Sequence, residues 1–319
     1  MAAALAALTC YFNPFHGNRR LRNYRVFRRL LGVPLVTVEW SRDGRFDLSP
    51  EDADLMIRVE GGDLMWQKER LLNLGLARMR REQFAPCVAV LDADTVFAED
   101  AWAERVVEAL DSCAVVQCYS RLDYLPEVPL EGCSRSALAA VAAERSLPSR
   151  AFALWEGRPL FSMDSDLAQL MAVGMLPPFS GNPGMATAFR LDALPHFEHY
   201  ENNIVGGGDT VLTAACSGEL DALFRYRNFS LPHQADMLAW TKRSLPAPAG
   251  LGWAANRILH LWHGLLEDRQ YGKRMDILAS RGYDPRRHLD RSGVALRFRE
   301  GCGDLRAAVA DYLASRHDA

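Results

Sequence analysis

The sequence predicts an α/β protein with a mostly parallel central sheet and helices on both of its faces. Three observations carry this. Short apolar runs alternate with amphipathic stretches through the first 120 residues, the pattern of strands joined by crossover helices. The chain is 49% hydrophobic and 24% charged, so it can bury a sizeable core and is neither disordered nor fibrous. No apolar run approaches the ~18–20 residues of a membrane span.

The elements follow in order. The opening MAAALAALTC lacks a basic n-region and runs straight into YFNP, so it reads as a first buried strand and not a signal peptide. A helix is expected from about Asn18 to Leu31, with Arg22, Arg25 and Arg29 on one face and Tyr24, Phe27 and Leu31 on the other. PLVTVEW and LMIRVE are strands, and a second helix starts near Leu64 with Met65, Leu72, Leu76 and Met79 at core spacing. CVAVLDAD is a buried strand ending in acid, AEDAWAERVVEALD a helix with acids at its start, and CAVVQCY the next strand. From Ser120 to about Pro178 the pattern weakens, punctuated by Pro126, Pro129, Pro148, Pro159, Pro177 and Pro178, with one Ala-rich helix near Ser136–Arg145. Periodicity returns at MATAFRLDAL, DTVLTAACSGEL, ALFRYRNF and RILHLWHG. After Gly264 an Arg-rich helix and a C-terminal helix (Leu305–Ser315) read as an appendage.

At about 150 residues per domain, 319 residues make one large or two closely associated units. The division expected is 1–120, 121–265 and a helical extension 266–319. Thirty-seven Lys and Arg against 40 Asp and Glu leave a net charge of −3, which excludes a generally basic nucleic-acid coat. Cys10, Cys87, Cys113, Cys118, Cys133, Cys216 and Cys302 form no C-x-x-C pair, and their odd number fits reduced thiols in a cytoplasm.

Ligands of open α/β sheets bind beyond the carboxyl ends of the strands, so the chemistry is sought there. In Val88-Ala89-Val90-Leu91-Asp92-Ala93-Asp94 two acids at i and i+2 leave a buried strand on the same side. They would repel and be costly to desolvate unless they share a divalent cation, with hard oxygen ligands suited to Mg2+ or Mn2+. The plain alternative is a helix cap with a loop acid. Asp164-Ser165-Asp166 follows no buried strand and precedes DLAQLM, so capping accounts for it. In Val205-Gly206-Gly207-Gly208-Asp209 the glycines allow a ligand close to the backbone, and Asp209 opens a helix. No G-K-[ST] follows, so it is not a P-loop. In Ile258-Leu259-His260-Leu261-Trp262-His263-Gly264 a histidine at the strand end can offer imidazole to a metal. Strand alternation would point His260 and His263 to opposite sides unless the strand stops first.

Taken in order, LDADTVF, SGNPGMATAFRLDAL, VGGGDTVLTAA and HLWHG resemble the nucleotide-sugar glycosyltransferases of the GT-A fold, over roughly residues 5–265. The resemblance implies a GT-A type fold with a smaller acceptor-side half, and a metal-dependent transfer of a sugar from a nucleoside-diphosphate sugar to an acceptor hydroxyl with inversion. Uridine diphosphate is the default donor carrier. Asp94 matches the acid that binds the Mn2+ or Mg2+ directly and Asp92 the one nearer the ribose. His263 is the third metal ligand, with His260 the alternative, and Asp209 matches the general base. The family's usual acidic pair is here Gly208-Asp209. Thr9, Tyr11 and Asn13 end the first strand and Glu39 the second, where the family contacts base and ribose. Lys68 and Arg70 lie in MWQKERLLN, which resembles the family's nucleotide-approaching segment and is otherwise a solvated helix face. The resemblance implies a nucleotide contact for Gly207 and Gly208 as well. Trp66, Trp155, Trp240 and Trp262 could stack on a sugar or fill the core. The Arg-rich tail (Arg269, Arg274, Arg281, Arg286, Arg287) and segment 120–180 would shape the acceptor site, for a glycan, a small molecule or a modified nucleic acid. Rival readings are a sugar-phosphate nucleotidyltransferase, which would need a basic Gly-rich loop where this chain has NPFHGNRR, and a non-catalytic sugar-nucleotide-binding protein.

Overall fold

A central sheet organises the structure, a computed structural model that describes residues 3–158, 180–245, 250–265 and 267–316. In chain order the elements begin β1 (Leu5–Phe12), α1 (Asn18–Leu30), β2 (Leu35–Ser41), β3 (Leu55–Glu60), α2 (Lys68–Glu82), β4 (Cys87–Leu91) and β5 (Thr95–Phe97). Then come α3 (Trp102–Leu110), β6 (Val115–Gln117), β7 (Arg121–Tyr124), α4 (Arg135–Ala139), β8 (Arg145–Pro148), α5 (Arg150–Trp155) and β9 (Ala186–Arg190). Helices Gly208–Cys216, Leu220–Arg227 and Leu231–Ser244 precede β10 (Gly252–Trp253) and β11 (Arg257–His260). The tail carries β12 (Leu289–Asp290), β13 (Arg297–Phe298) and helix Gly303–Ala314.

Among the described residues the central sheet runs β10-β6-β9-β4-β1-β2-β3. Its pairs are parallel except where β9 runs antiparallel between β4 and β6. The α/β class with a mostly parallel sheet is therefore as the sequence indicates. From β1 the chain moves one way to β2 and β3, then crosses to β4 on the other side. The carboxyl ends of β1 and β4 consequently meet at a topological switch point, where open sheets hold their ligands. A second sheet, β5-β11-β7-β8, stands beside the first, and its antiparallel β5–β11 pair sets His260 opposite Thr95.

Alternation along β1 gives the sheet two apolar faces. Ala6 and Leu8 pack with Leu72, Leu76 and Met79 of α2, whereas Leu5 and Ala7 share the opposite core with Tyr24 and Phe27 of α1 and Trp102 and Val106 of α3. The Trp102 indole stacks on Phe97 at 3.9 Å and donates to the Leu31 carbonyl at 3.0 Å. All seven cysteines are free thiols. Among the described residues no helix is long and apolar enough to cross a membrane.

Three local expectations are corrected. The second helix starts at Lys68 and not near Leu64, because the preceding backbone bonds to other elements: Asp63 N–H donates to Leu296 O and Trp66 N–H to Ile204 O. The Ala-rich helix stops at Ala139, capped at its start by the Ser134 hydroxyl, and Arg145–Pro148 pairs instead with β7. Ladder formation there overrides helix propensity. The tail is no appendage, and among its described residues two short helices, Asp276–Ala279 and Pro285–His288, stand where one Arg-rich helix was expected: Met275, Leu278, Tyr283, Leu296, Val309 and Tyr312 are buried in the larger core with α2. Asp164, Asp166, Pro159, Pro177 and Pro178 lie outside the described residues.

Candidate active site

The site is built at the ends of β4 and β11. β4 is buried along its whole length, and the chain turns directly after it: Thr95 N–H donates to Asp92 O at 3.1 Å and Leu261 N–H to Asp94 O at 2.9 Å. The turn leads into β5, whose pairing with β11 brings His260 Nε2 to 3.6 Å from Asp94 Oδ2. β11 ends at His260, so strand alternation no longer applies and His263 swings back. The two imidazoles meet edge to face with ring centroids 4.4 Å apart.

Asp94, His260 and His263 thus form one cluster, with a ligand atom from each within 4.8 Å of the others. The donor set suits a divalent transition ion or Mn2+, since imidazole and carboxylate are its ordinary ligands. Two further observations fit a metal. Asp94 Oδ1 is buried and has no hydrogen-bond partner, a costly state for a carboxylate oxygen unless a cation accepts it. Burial, with Arg269 and His260 nearby, holds His263 well below the usual imidazole value, which leaves the neutral ring with a lone pair to donate. Burial pushes Asp94 upward, but the His260 imidazole, followed by His263 and Arg20, outweighs it and keeps the carboxylate ionised.

Asp92 stands apart from this cluster. The sequence reading gave it a share in the metal; in the structure its Oδ1 lies 2.5 Å from Lys68 Nζ. The i and i+2 acids therefore face the same cavity and find different partners, Lys68 for Asp92 and the two imidazoles for Asp94, a division that the turn geometry makes and the strand pattern does not. Lys68 also reaches Asp209 Oδ2 at 3.1 Å, joining the end of β4 to the start of the Gly208–Cys216 helix. Burial opposes the charged amine, but Asp209 and Asp92 raise the Lys68 value well above its ordinary one. Burial lifts Asp92 to about 6, with Lys68 acting against the rise.

The glycine run has a different purpose at each position. Gly206 and Gly207 have φ of +90° and +95°, a left-handed backbone that glycine tolerates. Gly208 has no room for a side chain: a Cβ there would sit 2.3 Å from Glu69 Oε1. Glu69 itself is 3% exposed, and burial pushes its carboxyl up to about 8, with Lys68 opposing and Asp209 adding to the rise. A carboxyl raised from 4.5 to about 8 on folding stabilises fully below its unfolded value, and that contribution is lost as pH rises through the folded one. Glu69→Gln is expected to flatten this dependence. Its Tm should match the native protein's near pH 5 and exceed it near pH 9; a Tm deficit that grows toward pH 9 would contradict the assignment.

Several donor-side expectations resolve into scaffolding. The Thr9 hydroxyl donates to Leu91 O at 2.7 Å and knits β1 to β4. Asn13 Nδ2 donates to Asp47 Oδ2 at 2.7 Å, Tyr11 Oη to the same oxygen at 3.3 Å, and Glu39 Oε1 accepts from the Asp47 and Leu48 amides. Three strand-end residues thus order the 42–48 loop through Asp47, which no sequence motif marked, and of these only Tyr11 lines the cavity. Arg70 turns away: it pairs with Glu201 at 3.1 Å and donates to the carbonyls of Val294 and Gly293. Of the tryptophans, Trp240 is buried and Trp155 exposed, while Trp66 lies under Arg316 at 4.5 Å and Trp262 under Arg19 at 4.2 Å.

The cavity over the cluster has a volume of about 150 Å³ and carries Arg20, Lys68, Arg269, Arg274 and Arg316 on its walls. Three of these come from the tail. A second cavity of about 130 Å³ shares Asp92, Gly207 and Asp209 with it and continues toward Tyr124, Arg145 and Asn182. Of the tail arginines singled out by composition, Arg269 and Arg274 reach the site; Arg281 pairs with Asp304 and Arg286 lies 3.8 Å from Asp236. Glu69, Arg20 and Arg316 carry no motif, and only the basic character of the tail hinted at the last.

No protein-family model matches the sequence, and no curated protein does. Solved structures similar to it include glucosyl-3-phosphoglycerate synthase from Mycobacterium tuberculosis in complex with Mg2+ and uridine diphosphate. It is 11% identical with a TM-score of 0.37, over 90% of this chain and 82% of that one. Mannosyltransferase PcManGT from Pyrobaculum calidifontis, in complex with GDP-Man and Mn2+, is 12% identical with a TM-score of 0.40, over 98% of this chain and 70% of that one. TarS 1-349 from S. aureus is 11% identical with a TM-score of 0.32, over 68% of this chain and 56% of that one, so the match spans little more than half of it. The solved structures to which this chain is similar thus include proteins holding a nucleoside diphosphate or a nucleotide sugar together with a divalent ion.

Proposed function

We propose that the protein is a metal-dependent glycosyltransferase of the GT-A kind, transferring a sugar from a nucleoside-diphosphate sugar to an acceptor hydroxyl. The observation that carries this reading is the Asp94–His260–His263 cluster opening into a cavity with a cationic wall, with Asp209 in the same cavity. Asp94, His260 and His263 would hold the metal. When bound, such an ion neutralises a leaving diphosphate and acts as Lewis acid and template.

The chain's own groups supply the rest. Arg20, Arg269, Arg274 and Arg316 bind the phosphate oxygens, and guanidinium suits them because its fork of donors matches their geometry. Asp209, which lines both the cavity over the cluster and the one continuing toward Tyr124, takes the proton from the acceptor hydroxyl on its carboxylate as general base. Attack from that side, away from the diphosphate, inverts the anomeric centre. Lys68 balances Asp92 and Asp209 until the diphosphate arrives with its own negative charge. On this reading residues 1–120 form the donor half and 121–265 the acceptor half, and the tail lends arginines to the donor. Seven free thiols support a reducing compartment.

A thermal-shift panel of UDP- and GDP-sugars with and without Mn2+ tests the proposal, because a ligand that binds only the native fold must raise Tm. Metal-dependent stabilisation by one nucleotide sugar is expected, followed by release of free nucleoside diphosphate on turnover. Pyrophosphate as product would instead favour nucleotidyl transfer, and stabilisation without any turnover would favour a binding protein.

A further inference from the structure

A third cavity lies beside the two described above. A groove of about 500 Å³ runs along the exposed side of α1, walled by Arg19, Arg22, Arg25 and Arg29 on one side and by the 126–132 loop on the other. Its volume lies within the ~300–1,000 Å³ usual for small-molecule sites. Arg29 donates to the Cys133 carbonyl and Arg19 covers Trp262. Arg22 and Arg25 are exposed and form no ion pair with a described residue. Four arginines face Glu127 and Glu131, an excess of two positive charges.

Asn23 lines both this groove and the metal-cluster cavity, so the two meet at that side chain. It is 3% exposed; its Nδ2 donates to Trp262 O at 3.0 Å, while its Oδ1 is buried without a partner. A buried acceptor oxygen of this kind is costly unless something donates to it. The ligand that satisfies both features has a hydroxyl for Asn23 Oδ1 and a doubly charged anion for the guanidiniums. We propose that the groove binds a phosphorylated polyol, a sugar- or polyol-phosphate, with its phosphate on Arg22 and Arg25 and a hydroxyl at Asn23. A phosphate monoester carries about −1.5 to −2 at neutral pH, which matches the excess charge.

The walls disfavour other anions. Trp262 is the one aromatic residue among the lining residues and Arg19 lies on it, so there is no platform on which successive bases of a nucleic acid could stack. Leu125 and Leu261 are buried in the small core beneath the second sheet and Val128 and Leu130 pack half-buried against it, so the apolar lining of the groove is the outer side of that core. That the bound polyol is the sugar acceptor rests on the glycosyl-transfer reading; that the groove binds it does not.

The test measures binding of sn-glycerol 3-phosphate, inorganic phosphate, glycerol and a short single-stranded oligonucleotide by calorimetry at fixed ionic strength, with UDP and Mn2+ present to occupy the smaller cavity. Glycerol 3-phosphate is expected to bind more tightly than phosphate, and glycerol not at all. The exposed double variant Arg22→Gln/Arg25→Gln should weaken glycerol 3-phosphate by roughly 10-fold or more while leaving Tm and the UDP affinity measured in the same samples unchanged. Undiminished glycerol 3-phosphate binding in that variant, equal binding of phosphate and its ester, or tighter binding of the oligonucleotide would each overturn the proposal. Loss of UDP binding alone, with the arginine effect intact, would sink the glycosyl-transfer reading and leave the groove assignment standing.

Discussion

Asp94→Ala is expected to fold normally and to lose its response to Mn2+. The residue supplies the one carboxylate of a three-residue cluster, and its Oδ1 has no protein partner to lose. Without it two neutral imidazoles remain, and the cluster has no anionic ligand to hold the cation. Several kcal/mol of transition-state stabilisation depend on the ion, so transfer should fall by roughly 10³-fold. The Mn2+-dependent Tm shift with donor should vanish as well, since the linkage that produces it is removed. A shift of native size in the variant would mean that the metal, if it binds, sits elsewhere. Asp92→Asn distinguishes the two strand-end acids: it disturbs Lys68 and should preserve the Mn2+ response.

Asp209→Asn is expected to separate turnover from binding. Asparagine keeps the shape and cannot accept a proton, so kcat should fall by roughly 10²–10⁴-fold, the usual worth of a general base. Donor KM should hold or drop slightly, because Lys68 loses one of its two carboxylate partners and becomes more available to phosphate. A fall in donor affinity as large as the fall in kcat would make Asp209 a structural acid that merely positions Lys68.

What could be read from the sequence depended on distance along the chain. The strand ending in Asp92 and Asp94, the helix opening at Asp209 and the placement of Tyr24, Phe27 and Leu31 inward are local consequences of pattern, and they hold. Asp94 lies with the histidines in one cluster, but both His260 and His263 reach it, because β11 stops at His260, before alternation could carry His263 to the other side. Arg70 and Thr9 show the limit. Each has the right chemistry near the right strand end, and each is consumed by a partner far along the chain, Glu201 and Leu91 respectively. Glu69 was illegible for the opposite reason: its neighbours Gly208 and Asp209 are remote in sequence, and an acid in a helix usually reads as solvated. The tail misled by composition: it reads as an appendage whose arginines shape the acceptor site, whereas it packs into the larger core and buries Arg269 and Arg274 at the cavity over the metal-ligand cluster.

The pairing of β5 with β11 has a consequence for how this chain can change in length. His260 is held beside Asp94 by a ladder of three residue pairs and by the Leu261 N–H bond to Asp94 O, so residues may be inserted or removed in the loops between residues 98 and 256 without separating them. A single residue deleted within the ladder would do the reverse, turning each side chain of that strand to the other face. Natural variants of this chain should therefore tolerate long insertions in the intervening loops and none between Thr95 and Phe97.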